Sequence, residues 1–369
     1  MLVHILLLFI ICVWGFVYYS KGPSKLKNKH FLIASFSTIL IVASLRGETV
    51  GWDTANYERG FYVLNNNVGQ NAVYYWTATH WEYGWQLLNK FVGLFTNNPQ
   101  FLLFFVGLLM YINIAIYIYY NTEETVSAFW PVFLFMTMSY LYPSSMNLMR
   151  QFLAISIAMN IITVLRNGKT KKRVLIAIAL LIIAFEIHHT AVLYIIVLIL
   201  YLYDKPSKRM LLYAGIGTVG AFFLFPIIIN YWLRVFPQYG AFLSMGNEYY
   251  EGFEFSAYNL VMCMIRILFV ILICALDNKD EQNKQLYYLA FLNIIATGFT
   301  LLTMRTALAV RMSYYFDMFI IMIIPQLINK FKTGKAYVYM AVLVLGWAFF
   351  IFELFHEAKG TVPYYFFWQ

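Results

Sequence analysis

Apolar, nearly charge-free runs long enough to cross a bilayer recur from one end of this 369-residue chain to the other. No other feature restricts its folding so strongly. A helical run of roughly 17–25 such residues matches the hydrocarbon thickness of a membrane. Hydrophobic residues are 62% of the chain and charged residues 12%, against roughly 45–50% and 25% in soluble domains. One water-soluble core cannot hide that much apolar surface, so lipid must be the solvent. The reading is an all-α, polytopic transmembrane protein with about twelve spans. They lie near 2–20, 31–45, 99–120, 127–142, 148–165, 174–187, 190–203, 211–232, 257–276, 286–303, 313–329 and 336–353. The chain, 1–369, reads as a single transmembrane domain. An outer loop with an amphipathic helix occupies 46–98, and a second outer loop occupies 233–256.

The first run resembles a signal peptide, but Lys21, Lys25, Lys27 and Lys29 follow it instead of preceding it. It therefore reads as a retained helix with its N-terminus outside. Cys12, Cys263 and Cys274 all fall in apolar runs and suggest neither a disulfide framework nor a metal site.

Basic residues orient the spans. The connectors 21–30, 166–173, 204–209 and 329–335 are the most basic, and the positive-inside rule places them in the cytoplasm. The stretch 82–96 must then stay on the outer face. Glu82, Gln86 and Asn89 form one of its stripes; Leu87, Leu88, Phe91, Leu94 and Phe95 form the other. That is the pattern of an interfacial helix. With this topology the inside holds 14 Lys and 3 Arg, and the outside 2 Lys and 6 Arg; Arg266 lies within a span. Lysine suffices to set orientation, whereas arginine adds a planar fork matched to phosphate and carboxylate oxygens. The outer face is thus expected to hold an anion, unless the arginines merely snorkel at helix ends.

Four polar clusters fall on that face. The first, RGETVGWDTANY (46–57), follows the second span with two glycines and carries Arg46, Asp53 and Asn56. Asp53 is a candidate general base, or a carboxylate holding a base or a sugar hydroxyl; the alternative is a turn or helix cap. Glu82 in WEYGW is a second candidate carboxylate, or a first-turn charge favoured by the helix dipole. In MNLMRQFLA (146–154), Asn147, Arg150 and Gln151 share one helical face with Ala154. A membrane-embedded face of that kind should look into a polar cavity. In FEIHHTA (185–191), Glu186, His188, His189 and Thr190 interrupt a 30-residue apolar run, as two short helices meeting at the surface would. An adjacent His pair without a second cluster does not make a metal site. Acid–base or hydrogen-bonding work suits His188 better, with simple capping as the alternative. The fourth, TMRTALAVRMSYYFD (303–317), brings Arg311, Tyr314 and Tyr315 onto one face, with Arg305 before them. Aromatics between Trp52 and Trp85 can stack on sugars or form an interfacial belt. There is no phosphate-cradling glycine loop and no nucleotide fingerprint, so energy must arrive with the substrate or from a gradient. Neither a nucleic-acid partner nor a cofactor is expected.

In order and sidedness these clusters resemble the EpsG family of bacterial membrane proteins, grouped with Wzy-type polysaccharide polymerases. The matching features are RG followed by DTANY (53–57), E-x-G at 82–84 before a QLLNK helix, N-x-x-RQ at 147–151, H-x-T-A at 188–191 and R-x-x-Y-Y at 311–315. Ile187 stands where the family usually has Phe, and His189 is an additional imidazole. The resemblance implies a fold like that of C-type glycosyltransferases. It also implies polymerisation of undecaprenyl-pyrophosphate-linked oligosaccharides into exopolysaccharide, capsule or O-antigen, at the outer face of the bacterial plasma membrane. Arg46, Arg150, Arg305 and Arg311 would hold the pyrophosphate, while Asn56, Asn147, Gln151, His189, Tyr314 and Tyr315 would position substrate. Asp53, His188 or Glu82 would take the acceptor proton without a metal. Membrane lipid and other polysaccharide-assembly membrane proteins would be partners. The rival from another class is a flippase for a lipid-linked glycan. Such a carrier should bear charge through its full depth, whereas here intramembrane charge other than Arg266 is read at the outer ends.

Overall fold

The computed structural model describes residues 1–66, 80–203, 205–235, 256–275, 281–306, 308–331 and 333–369. Among these, secondary structure is helical, with one isolated antiparallel bridge between Arg46 and Phe366. The chain divides into two compact units, 1–202 with 328–369, and 203–327.

The first unit contains α1 (Leu2–Tyr19), α2 (Lys25–Ser44), α3 (Thr54–Asn66), α4 (Tyr83–Gly93), α5 (Pro99–Asn121), α6 (Phe129–Thr137), α7 (Leu141–Asn147), α8 (Met149–Ala158), α9 (Asn160–Arg166), α10 (Lys171–Ile187) and α11 (Ile195–Tyr203). The second contains α12 (Lys208–Val235), α13 (Ala257–Ala275), α14 (Glu281–Leu302), α15 (Leu308–Asp317) and most of α16 (Ile320–Asn329). The chain then returns to the first unit as α17 (Lys335–Phe355) and a terminal segment. Short polar side chains start several helices where the sequence offers them. The side chains of Ser24, Asn98 and Thr170 accept from the backbone N–H of Lys27, Gln100 and Arg173, satisfying donors that the first turn leaves open.

Eight helices among the described residues are long and apolar enough to cross a membrane. Together with the family reported below, they make this an integral membrane protein. They coincide with eight of the twelve expected spans, and the remaining four depart for local reasons. The 31–45 stretch belongs to α2, whose first turns carry Lys25, Lys27, Asn28, Lys29 and His30 and lower its apolarity. The 127–142 stretch breaks after α6, where Ser139 and Tyr140 adopt left-handed conformations (φ 56° and 54°). The buried Glu353 of α17 accepts the Tyr140 N–H at 2.8 Å and so seals the break. The 174–203 run breaks at His188, in extended conformation, into the 17-residue α10 and a 15-residue apolar piece, His189–Tyr203. The expected outer loop at 233–256 lies largely outside the described residues, as do Tyr74, Tyr75 and Trp76.

In α4, Trp85, Asn89 and Val92 are buried, whereas Leu87, Phe91, Leu94 and Phe95 are exposed. A helix whose outward side is greasy while Trp85, Asn89 and Val92 pack inward is suited to a lipid interface. In the second unit, Arg266 at the middle of α13 pairs with Asp317 of α15, both side chains 3% exposed. Arg266 also donates to Thr300 of α14 (2.6 Å), and Ser313 donates to the second Asp317 oxygen (2.9 Å). Arg266, read from sequence as a lone charge within a span, thus has a buried carboxylate partner on α15. Its partner sat unnoticed within the fourth cluster.

Candidate functional site

The site begins with a buried arginine. Arg46 is 1% exposed, and its guanidinium donates to the carbonyls of Ala43 and Met146 (the latter 3.0 Å) and to Thr54 Oγ1 (3.3 Å). A further contact runs to Met149 Sδ at 3.0 Å. These bonds tie the end of α2, the start of α3 and the α7–α8 junction together. Arg46 thus anchors the loop that follows it, its fork engaged within the protein.

That loop is held from two further sides. The Gly47 N–H donates to Tyr365 O (2.9 Å), the Phe367 N–H to Leu45 O (3.0 Å) and the Gly51 N–H to Gly360 O (2.7 Å). The C-terminal segment therefore completes the 46–53 loop, and no sequence pattern announced it. On the opposite side, Asn147 Oδ1 accepts the Asp53 N–H at 2.9 Å. Asp53 is half-buried, its carbonyl accepts from Tyr57 N–H (3.1 Å), and Asn56 is exposed one turn into α3. Asn147 is buried.

Three residues after Asn147, Arg150 turns toward α4. Its Nη1 meets Glu82 Oε2 at 2.5 Å, and its guanidinium lies 5.2 Å from the Trp81 ring centroid. The other carboxylate oxygen of Glu82 accepts from His188 Nδ1 at 2.6 Å and from the His189 N–H at 3.3 Å. One carboxylate just before α4 thus joins the start of α8 to the break after α10. Burial alone would raise the Glu82 pKa, but the His188 hydrogen bond and the charges of Arg150 and His188 outweigh it and hold it at about 2. Glu82 is therefore ionised at neutral pH, an anion shared by Arg150 and His188. With Nδ1 donating to the carboxylate, a neutral His188 carries its basic lone pair on Nε2. Arg150 Nε is buried without a hydrogen-bond partner in the described residues, a donor that a ligand oxygen would satisfy.

Glycine makes this approach possible. A Cβ on Gly84 would sit 2.7 Å from the Glu186 carbonyl oxygen and 2.9 Å from its carbon, and on Gly60 2.0 Å from the Trp81 ring. The E-x-G spacing at 82–84 is therefore a carboxylate and the backbone clearance it needs. Gly84→Ala is expected to push α4 off the end of α10, costing ~1–3 kcal/mol and loosening the Glu82–His188 bond. Thermal unfolding of the purified variant measures the first; loss of the shifted His188 ring signal in NMR measures the second. A variant with unchanged stability and signal would mean that the contact yields without cost.

Gln151 is buried beside Arg150, and His189 is exposed with its ring 4.7 Å from that of Phe185. In the second unit Arg311 is exposed on α15, while Tyr314 and Tyr315 are buried. Arg305 is exposed with its guanidinium 5.0 Å from the Phe222 ring centroid. Among the described residues no three His, Cys, Asp or Glu side chains gather as a metal site would require. Missed from sequence were the joint hold of Glu82 on Arg150 and His188, and the support from Trp81. The short motifs place these residues along the chain, but not which of them touch.

No curated protein and no solved structure matches this chain. A family model does: it covers residues 29–366, nearly the whole length, and the chain belongs to the EpsG family.

Proposed function

We propose that this protein works in polysaccharide assembly, as a glycosyltransferase that polymerises undecaprenyl-pyrophosphate-linked oligosaccharide repeat units at the extracytoplasmic membrane surface. The observation that carries the reading is the Glu82 carboxylate set between Arg150 and His188. It supplies an oriented imidazole beside a partly engaged guanidinium, the two groups that transfer from a diphosphate donor needs.

In the reaction, an acceptor sugar hydroxyl attacks the donor's anomeric carbon. The new glycosidic C–O bond forms, the anomeric C–O bond to the diphosphate breaks, and undecaprenyl pyrophosphate departs with the bonding pair. The hydroxyl proton passes to His188 Nε2. Arg150, held at Nη1 by Glu82, turns its remaining N–H groups to the negative charge growing on the leaving diphosphate. Asn147 fixes the Asp53 loop along the same edge, placing Asp53 and Asn56 to bind acceptor hydroxyls. Every group in this scheme belongs to the first unit, and the energy comes from the donor's own diphosphate bond.

The test is turnover by the purified protein in proteoliposomes loaded with the lipid-linked repeat unit. The expected products are longer lipid-linked glycans and one released undecaprenyl pyrophosphate per bond formed. Glycan that crosses the bilayer without lengthening would replace this reading with that of a flippase.

A further inference from the structure

We infer that Trp52 is a sugar-stacking platform, a pyranose subsite for the acceptor glycan built from the 46–53 loop and the C-terminal segment. The ligand class rests on the polymerase reading; the platform itself rests on geometry.

Trp52 is 63% exposed, yet the backbone on both sides of it is hydrogen-bonded to other parts of this unit. The residue before it, Gly51 (φ 89°), donates its N–H to Gly360 O at 2.7 Å. The residue after it, Asp53, donates its N–H to Asn147 Oδ1 at 2.9 Å. The backbone on either side of the indole is therefore pinned to a different part of the fold. The ring is seated too. A Cβ on Gly360 would lie 2.3 Å from Trp52 Cδ1 and 2.5 Å from Nε1, so the pyrrole edge rests where only a glycine leaves room. Gly360 also has φ 77°, which a side chain would oppose.

An indole seated on main chain at one side and open at the other is a pre-organised apolar surface. Ligand binding then orders no flexible aromatic side chain, and that is where rigid aromatics gain affinity. An interfacial anchor needs only an amphipathic ring at the right depth and gains nothing from such pinning. The surroundings fit a sugar. Half-buried Asp53 and exposed Asn56 flank the ring with groups that accept and donate to hydroxyls. The same Asn147 that pins Asp53 ends α7, three residues before Arg150 at the start of α8. A sugar lying on Trp52 is thus next to the loop that leads to the proposed transfer site.

The experiment uses the full chain in nanodiscs, labelled with 5-fluorotryptophan, the Trp52 line being the one lost in Trp52→Phe. The probe is the lipid-free oligosaccharide released by mild acid from the cells' own lipid-linked repeat unit. Titration is expected to shift the Trp52 line to saturation. Trp52→Ala should raise the acceptor KM by about tenfold with kcat and unfolding temperature little changed, and Trp52→Phe should recover most of the loss. Gly360→Ala, which displaces the indole, should move KM in the same direction. If the oligosaccharide leaves the line unmoved while the wild type still polymerises, the subsite is wrong. If brominated lipid perturbs the line and the sugar does not, Trp52 is a membrane anchor and the proposal falls. A line that shifts in a protein unable to polymerise upholds the subsite and sinks the polymerase reading instead.

Discussion

Glu82→Gln is expected to slow polymer formation by ~10²–10⁴, the usual worth of a positioned acid–base group, while the lipid-linked substrate still binds. Glutamine keeps the size of the side chain but cannot neutralise Arg150 and charge-stabilise His188 together. His188→Gln should fall in the same range, and the double variant should be little worse than either single, because the two act as one unit. Turnover of the defined repeat unit by each purified variant measures this. Effects that multiply would show that the residues act separately. If Asp53→Asn abolishes turnover while His188→Gln retains it, Asp53 is the base and the imidazole only braces the loop.

The pH dependence follows from the same contacts. The folded-state pKa of Glu82 is held at about 2, below its ordinary value of 4.5. A depressed carboxylate stabilises the fold fully above its unfolded pKa, and that contribution is lost as pH falls toward about 2. Glu82 therefore does not titrate between pH 5 and 8. Any loss of activity on acidification through that window belongs to another group, and His188 is the one in the site with the chemistry for it.

The second large effect is on stability. Arg266→Ala or Asp317→Ala should each destabilise the protein by ~3–5 kcal/mol, because each leaves an uncompensated charge buried in a span. The pair joins α13 to α15, and Thr300 brings in α14, so its loss unlocks three helices at once. Arg266→Met combined with Asp317→Leu removes both charges and should recover most of the loss. Unfolding midpoints in detergent decide it. A double variant as unstable as the singles would mean that the pair does more than cancel itself. Since α15 also carries the exposed Arg311, activity in a folded double variant reports whether the lock matters to that arginine.

Several features of the site were legible before any coordinates. The interruption at FEIHHTA marked a helix break, because Glu, His and Thr inside a 30-residue apolar run have no place in lipid. The polar stripe Glu82, Gln86 and Asn89 was visible at helical spacing, whereas the single helical face expected for Asn147, Arg150 and Gln151 was not, because non-helical Leu148 separates Asn147, the last residue of α7, from Arg150 in α8. The role of Arg46 was not legible. An arginine after a span reads the same whether its fork meets a ligand or two backbone carbonyls and a hydroxyl, and only the enclosing loop distinguishes them. Where the 127–142 stretch breaks was not legible either, because the break is held by a partner far along the chain. The kink at Ser139–Tyr140 is sealed by Glu353, more than two hundred residues later.

Local composition, then, determined by itself that this chain lives in a membrane as helices, which segments are apolar enough to span it and which polar clusters interrupt them. Transfer free energy and helical periodicity act over a single run of residues, so one sequence states them outright. Tertiary structure alone decided that Glu82 serves both Arg150 and His188, that Arg266 finds Asp317, and that residues 360–367 close the Asp53 loop. Each of these joins segments dozens to hundreds of residues apart, and the energy of a buried charge depends on which partner the packing delivers.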